Sequence, residues 1–177
     1  MDRQNLAREI YNVSHLTGTF ELRSGAISNE YFDKYRFESS PELLFEIANH
    51  IAKLIDSDYD ILAGLEMGGI PLATAISSVT GKPCVFVRKK AKEYGTKKLA
   101  EGPDIRGKKL LIVEDVITSG GQVIISSNDL RALGAEITNA VCVIDRESGG
   151  RQKLEEAGIK LTSLFTMSEI KGYAGAR

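Results

Sequence analysis

Apolar positions follow two rhythms along the chain, one near the start and another from about residue 60 onward. At the start, Leu6, Ile10 and Val13 recur at helical spacing behind Asp2, which predicts a first helix capped by that carboxylate. Segments 19–22 and 31–35 predict two short strands around the turn-forming Ser24-Gly25. Ser40-Pro41-Glu42 is a strong helix start with proline at the first helical position, and Leu43, Leu44, Ile47, Ile51 and Leu54 give that helix an apolar face. Beyond it, apolar strand-like runs alternate with helical patterns. Strand 61–65 leads to helix 71–79, and strand 84–88 leads into a long polar loop. Strand 109–113 precedes a helix at 122–133, beginning near Gly120 to Gln122 and terminated by Gly134. Strand 137–144 precedes helix 151–157, ended by Gly158, and a last strand lies at 160–165. This alternation predicts an α/β fold with a doubly wound, mostly parallel sheet flanked by helices.

Composition narrows the class without changing it. The 177 residues suit a single domain, 1–177, and neither an internal repeat nor a Pro- or Ser-rich linker divides them. A hydrophobic content of 42% beside 27% charged residues is ordinary for a soluble globular protein. The formal net charge of −1 offers no global attraction to nucleic acid or anionic membrane, so any anion-binding surface must be local. No apolar run has the length of a membrane span, and the first twelve residues lack the apolar core of a signal peptide. Cys84 and Cys142 both sit in apolar runs and read as buried thiols, which fits a reducing cytoplasm.

In doubly wound sheets, ligands bind outside the carboxyl ends of the strands. The unusual sequences of this chain fall at those ends, at 66–69, 88–102, 114–121 and 145–150. The most informative is Leu110-Leu-Ile-Val-Glu-Asp-Val-Ile-Thr-Ser-Gly-Gly-Gln122, an apolar strand that runs into the carboxylates Glu114 and Asp115 and then a small-residue turn before a helix. Such a turn exposes backbone N–H groups able to hold a phosphate. The carboxylates beside it can bind hydroxyls or a hard cation such as Mg²⁺. Alone, the acidic pair could be a polar strand terminus. The adjoining Thr118-Ser119-Gly120-Gly121 argues for a sugar-phosphate site, although neither a P-loop nor a dinucleotide fingerprint is present. The loop after strand 84–88 carries Arg88, Lys89, Lys90, Lys92, Lys97 and Lys98 against the single acid Glu93. A solvated basic loop or a nucleic-acid patch is the alternative. Nucleic-acid binders, however, spread charge over a face and add stacking aromatics, whereas here it is confined to one loop beside the phosphate turn.

Val113-Glu-Asp-Val-Ile-Thr-Ser-Gly-Gly121 resembles the phosphoribosyl-diphosphate (PRPP) motif of type I phosphoribosyltransferases, and four further segments resemble the orotate phosphoribosyltransferase branch. Phe20-Glu-Leu-Arg-Ser-Gly-Ala-Ile-Ser-Asn-Glu-Tyr-Phe-Asp33 is similar to its N-terminal hood over the base. Gly64-Leu-Glu-Met-Gly-Gly-Ile-Pro-Leu-Ala73 is similar to its diphosphate loop. Arg88-Lys-Lys-Ala-Lys-Glu-Tyr-Gly-Thr-Lys97 is similar to its mobile catalytic loop, and Ile144-Asp-Arg-Glu-Ser-Gly-Gly150 to its orotate-side loop. The resemblance implies an N-terminal helix and hood over about 1–40 and a PRPP-binding core over about 41–170. It also implies transfer of the 5-phosphoribosyl group from PRPP to orotate, giving orotidine 5′-monophosphate and diphosphate with Mg²⁺, a step of UMP synthesis. Arg88, Lys89, Lys92 and Asp115 are then the catalytic candidates, with Lys92 foremost. PRPP falls to Arg88, Lys89, Lys92, Tyr94, Glu114, Asp115, Val116, Ile117, Thr118, Ser119, Gly120, Gly121 and Gln122. Orotate falls to Thr118, Arg146, Arg23, Tyr31 and Phe32, because a guanidinium matches the carboxylate that distinguishes orotate from uracil. A surface ion pair with Glu147 is the alternative use of Arg146. Glu114 and Asp115 are the metal candidates, directly or through ribose and water.

Two departures stand out. Tyr94 replaces a histidine, and Gly68 a lysine, found in many bacterial relatives, which puts in doubt a histidine acid and a second lysine on the diphosphate. The resemblance further implies a homodimer sharing loop 88–102 between subunits, and a chain ending at Arg177 is expected to be monofunctional. Two other functions are open at this point. One is phosphoribosyl transfer to a different base, against which Arg146 and the hood argue. The other is a PRPP-binding regulator of nucleic acid, for which no broad basic face is apparent.

Overall fold

The computed structural model describes residues 1–22, 25–91 and 98–175. Helix α1 (Arg3–Ser14) starts at Asp2, whose side chain accepts a hydrogen bond from Asn5 N, and buries Leu6, Ala7 and Ile10. It runs straight into β1 (His15–Glu21), which pairs antiparallel with β2 (Ile27–Phe32) as a two-stranded sheet outside the main body. The expected strand at 31–35 therefore ends three residues early. Asp33 Oδ1 accepts a hydrogen bond from Tyr35 N at 3.2 Å and turns the chain into the short helix α2 (Tyr35–Glu38), which buries Phe37. Helix α3 (Pro41–Ala52) begins where its Ser-Pro-Glu signal placed it, with Ser40 as N-cap.

The main sheet is built from β3 (Ile61–Leu65), β4 (Cys84–Val87), β5 (Ala100–Glu101), β6 (Lys109–Ile117), β7 (Glu136–Asp145) and β8 (Lys160–Thr166), in the order β5-β4-β3-β6-β7-β8. All neighbours are parallel except the two-residue edge strand β5, which sequence periodicity could not mark at that length. Helices α4 (Gly69–Thr80), α5 (Gly121–Ala132), α6 (Gly150–Glu156) and α7 (Met167–Gly175) complete the chain, α7 lying beyond the last expected strand. Alternate residues of each strand face opposite sides. Leu62, Leu111, Val113, Val141 and Val143 pack into one core with α1, α3, α4 and α7. Ile61, Ala63, Leu65, Ile112, Ala140 and Cys142 pack into a second with α5 and α6. Cys84 and Cys142 are both free thiols. Cys142 is buried, as its apolar run implied, whereas Cys84 is only half-buried.

Two features of this sheet set the site. From β3 the chain winds outward to β4 and then returns to the other side of β3 as β6, so the strand order reverses between β3 and β6. At such a switch point the loops leave in opposite directions and open a crevice. The second feature is the length of β6. Its apolar run predicted an end at Val113, but register with β7 continues through Glu114↔Cys142, Val116↔Ile144 and Ile117↔Asp145. Both carboxylates thus sit on a paired strand, next to each other and pointing to opposite faces of the sheet. Close packing holds the crevice floor, since a Cβ on Gly69 would strike the Val113 carbonyl oxygen and one on Gly64 would come within 2.6 Å of the Gly69 carbonyl oxygen. Gly69→Ala is therefore expected to lower stability by about 1–3 kcal/mol. Urea unfolding checks this, and an unchanged midpoint would show that α4 and β6 do not meet there.

Candidate active site

Strand alternation sends Asp115 to the same side as Leu111 and Val113, toward α4 and the segment leaving the hood. There it is fully buried, with Val116 N donating to its Oδ1 and Lys34 Nζ 2.6 Å from its Oδ2. The Lys34 contact is ionic rather than directional, because Oδ2 receives no well-aligned hydrogen bond. Gly68 lies against the same carboxylate, so close that a Cβ there would overlap Asp115 Oδ2 and come within 2.8 Å of Glu38 Oε1. The Gly68 departure thus has a steric reason in this chain. Glu38, at the end of α2, is itself buried, and its Oε1 has no well-aligned hydrogen bond.

The carboxyl groups of Asp115 and Glu38 therefore meet one ammonium in a poorly hydrated space, with Glu114 next to Asp115 along β6. Burial pushes Glu38 up to about 9, reinforced by the hydrogen bond and charge of Asp115. Burial likewise raises Glu114 well above the usual carboxylate range, again with Asp115 adding to it. Burial also acts to raise Asp115, but hydrogen bonds from Glu114 and Glu38 and the Lys34 ammonium outweigh it and hold Asp115 low. Lys34 is the mirror case, since burial lowers it and Asp115 more than restores it. Asp115 is the member held toward its charged form, whereas Glu38 and Glu114 are pushed toward their neutral forms.

Past Ile117 the chain makes the turn that its glycines predicted. Gly120 adopts φ 72° as the N-cap of α5, and no side chain caps the helix, so its first amides face outward beside the exposed Thr118 and Ser119. Glycines weld this turn to the next loop, where a Cβ on Gly150 would lie 2.5 Å from the Thr118 carbonyl oxygen. Arg146 N donates to Ile117 O at 2.9 Å, which sets Arg146 at the mouth of the same crevice. Its exposed side chain lines a cavity of about 210 Å³ with Tyr31 and Phe32 of the hood. Phe20 stacks near Tyr31, with ring centroids 5.5 Å apart. The Glu147 carboxylate instead accepts hydrogen bonds from Ser168 N and Oγ, and Asp145 pairs with Arg151 at 3.1 Å. Among the described residues Arg146 makes no ion pair, so the surface pairing with Glu147 is not what it does.

The basic loop is described only at its roots. Lys89 N donates to Glu66 Oε1 at 2.8 Å, tying the loop to the 66–69 turn, and Arg88 Nε lies 3.6 Å from Glu101 Oε1. Lys89, Lys90 and Lys98 line a cavity of about 710 Å³ beside the end of α5. Lys92, Tyr94 and Arg23, expected to serve PRPP and the base, lie outside the described residues. Among the described residues, no three metal-ligating side chains converge, and no helix is long and apolar enough to cross a membrane. Sequence reading missed Lys34 and Glu38. Their four-residue spacing around Phe37 was the only local signal, and it says nothing of the carboxylate they meet.

The pH dependence of the ligand-free fold follows from Glu38. A carboxyl raised from 4.5 to about 9 by folding stabilises the fold below its unfolded value and loses that contribution as pH rises toward 9. Glu38→Gln removes the loss. Between pH 5.5 and 8.5 the thermal midpoint of the substrate-free protein is expected to fall more steeply in the parent than in the variant. Identical slopes would count against a protonated Glu38.

Comparison with known proteins agrees with this geometry. The phosphoribosyl transferase domain family matches residues 35–163. An orotate phosphoribosyltransferase of Nocardioides sp. is 50% identical over 93% of this chain and 92% of its own. One from Methanocella arvoryzae is 47% identical over 88% and 89%. Mycobacterium tuberculosis orotate phosphoribosyltransferase in complex with Fe(III) dicitrate superposes with a TM-score of 0.87 at 30% identity, covering 96% of this chain and 99% of that one. The same enzyme in complex with PRPP gives 0.83 at 28% identity, with 97% and 99% covered. By its β6 carboxylates, its amide turn and these relatives, the chain belongs to the orotate phosphoribosyltransferases of the type I phosphoribosyltransferase family.

Proposed function

We propose that the chain joins orotate to PRPP, releasing orotidine 5′-monophosphate and diphosphate in UMP synthesis. The observation that carries this reading is the sequence of functions along one rigid strand. Glu114 and Asp115 lie near the end of β6 at the switch point, the amides of Thr118–Gly121 follow after Val116 and Ile117, and Arg146 stands beside the hood aromatics. The 5′-phosphate takes the turn from Thr118 to Gln122. The ribose hydroxyls take Glu114 and Asp115, and the base lies between Arg146, Thr118 and the hood residues Tyr31 and Phe32. In this reading Arg23 also faces the base.

The anomeric C1–oxygen bond of PRPP loosens first and leaves positive charge on the ribose ring. Orotate N1 attacks from the opposite face, inverting C1. No side chain forms a covalent bond, so the protein contributes position and charge. Asp115 holds fixed negative charge beneath the ring. Arg88, Lys89, Lys92 and Tyr94 are assigned to the diphosphate, where the cations offset the charge that develops on it. Mg²⁺ is the cofactor of this scheme. The oxygen donors of Glu114 and Asp115 suit it, but the Lys34 ammonium already faces Asp115 Oδ2. The residues therefore fit an ion that would arrive with PRPP and be held by Glu114 once its carboxyl is ionised, directly or through ribose and water; such an ion would supply positive charge for the diphosphate. A cytoplasmic homodimer that shares loop 88–102 between subunits completes the proposal.

Protein, PRPP and Mg²⁺ are mixed in turn with orotate, uracil, hypoxanthine and adenine, and diphosphate is measured. Release with orotate alone is expected. Release with hypoxanthine but not orotate sinks the assignment, and tight PRPP binding without release favours a regulator. Arg146→Ala is expected to cut kcat/KM for orotate about 10- to 100-fold, the worth of charge-assisted hydrogen bonds to a carboxylate, with the KM for PRPP nearly unchanged. Equal loss for both substrates would contradict the role given to Arg146.

A further inference from the structure

Lys34 belongs to neither of the loops in which the scheme above places its cations. It stands between β2, which carries Tyr31 and Phe32, and α2, which carries Glu38. Its side chain nevertheless crosses to the end of β6 and puts Nζ 2.6 Å from Asp115 Oδ2, with the Tyr35 ring 5.2 Å from Nζ. Asp115 is fully buried while Lys34 is about one-third exposed, so the ammonium forms the crevice-side boundary of the carboxylate. The other neighbour at that oxygen is Gly68, where any side chain would overlap it. The absence of a Cβ at 68 is what leaves room for the pair. Glu38 Oε1, buried and without a well-aligned hydrogen bond, is aimed into the same space.

Removing the Lys34 ammonium would take the one cation from this buried charge and leave it only the Val116 amide and the neighbouring carboxyls of Glu38 and Glu114. We propose that Lys34 is a positioning residue for PRPP binding: its ammonium fixes the Asp115 carboxylate at the crevice floor and ties the hood to the PRPP site. This rests on the reading of Asp115 as a ribose-binding group. It assigns a PRPP-affinity role to a residue of the base-covering segment, one that acts through Asp115 rather than on the substrate. The strand that walls the base and the strand that grips the sugar are thereby joined through one ion pair.

The test is a double-mutant cycle read by calorimetric titration of PRPP with Mg²⁺ into the intact protein, using Lys34→Met, Lys34→Arg, Asp115→Asn and Lys34→Met/Asp115→Asn. Lys34→Met is expected to weaken PRPP binding about tenfold or more, and Lys34→Arg to recover most of that loss. In the Asp115→Asn background, removing Lys34 should cost little further, since its partner is already neutral. If Lys34→Met does not fold, Lys34→Gln carries the same expectation. Wild-type PRPP affinity in the Met or Gln variant, or losses that multiply in the double variant, overturns the proposal. A variant with a lower melting temperature but normal PRPP affinity also overturns it, as that pattern belongs to a purely structural pair. Weakened binding in Asp115→Asn alone would leave the reading of the site intact while removing Lys34 from it. Unchanged binding in Asp115→Asn would remove both.

Discussion

A carboxylate placed at the end of a central strand, out of reach of water, must find its stabilisation inside the fold. Asp115 finds it in the Lys34 ammonium, the Val116 amide and the neighbouring carboxyls of Glu38 and Glu114, which are pushed toward their neutral forms. The arrangement constrains much of the molecule. Position 68 must be glycine-sized, α2 must deliver Glu38, and the hood must return toward the sheet closely enough for Lys34 to cross. Without the ion pair, the buried charge would be costly.

The sheet supplies what the ion pair needs. Because the order reverses between β3 and β6, the 66–69 turn and the end of β6 face one another across a crevice, and backbone glycines let them approach to contact distance. The same economy recurs on the other side of β6, where Gly120 and Gly150 press the amide turn against the loop of Arg146. Under the proposed function, the phosphate, sugar and base subsites fall on adjacent strand ends. That close packing suits the proposed reaction, in which the protein contributes position and charge.

Much of this was legible in the chain. The alternation of strands and helices fixed the class, and the glycine turn after Ile117 was readable because few other residues adopt its backbone. What lay hidden was long-range. The continuation of β6 to Ile117 depends on pairing with β7, which compensates for the polar Glu114 and Asp115 that ended the apolar run. Helix α2 begins at an Asp33 turn inside what looked like a strand. Lys34 and Glu38 read as ordinary surface charges because their partner is some eighty residues away in sequence. Gly68 read as an unexplained departure until the carboxylate above it was visible.

The central claim is that the end of β6 and the turn behind it form the PRPP site. A crystal structure of the chain with PRPP and Mg²⁺ tests it most directly. Ribose hydroxyls are expected within hydrogen-bond distance of Glu114 and Asp115, and the 5′-phosphate on the amides that open α5. PRPP seated instead in the cavity lined by Lys89, Lys90 and Lys98, with the β6 carboxylates untouched, would contradict it.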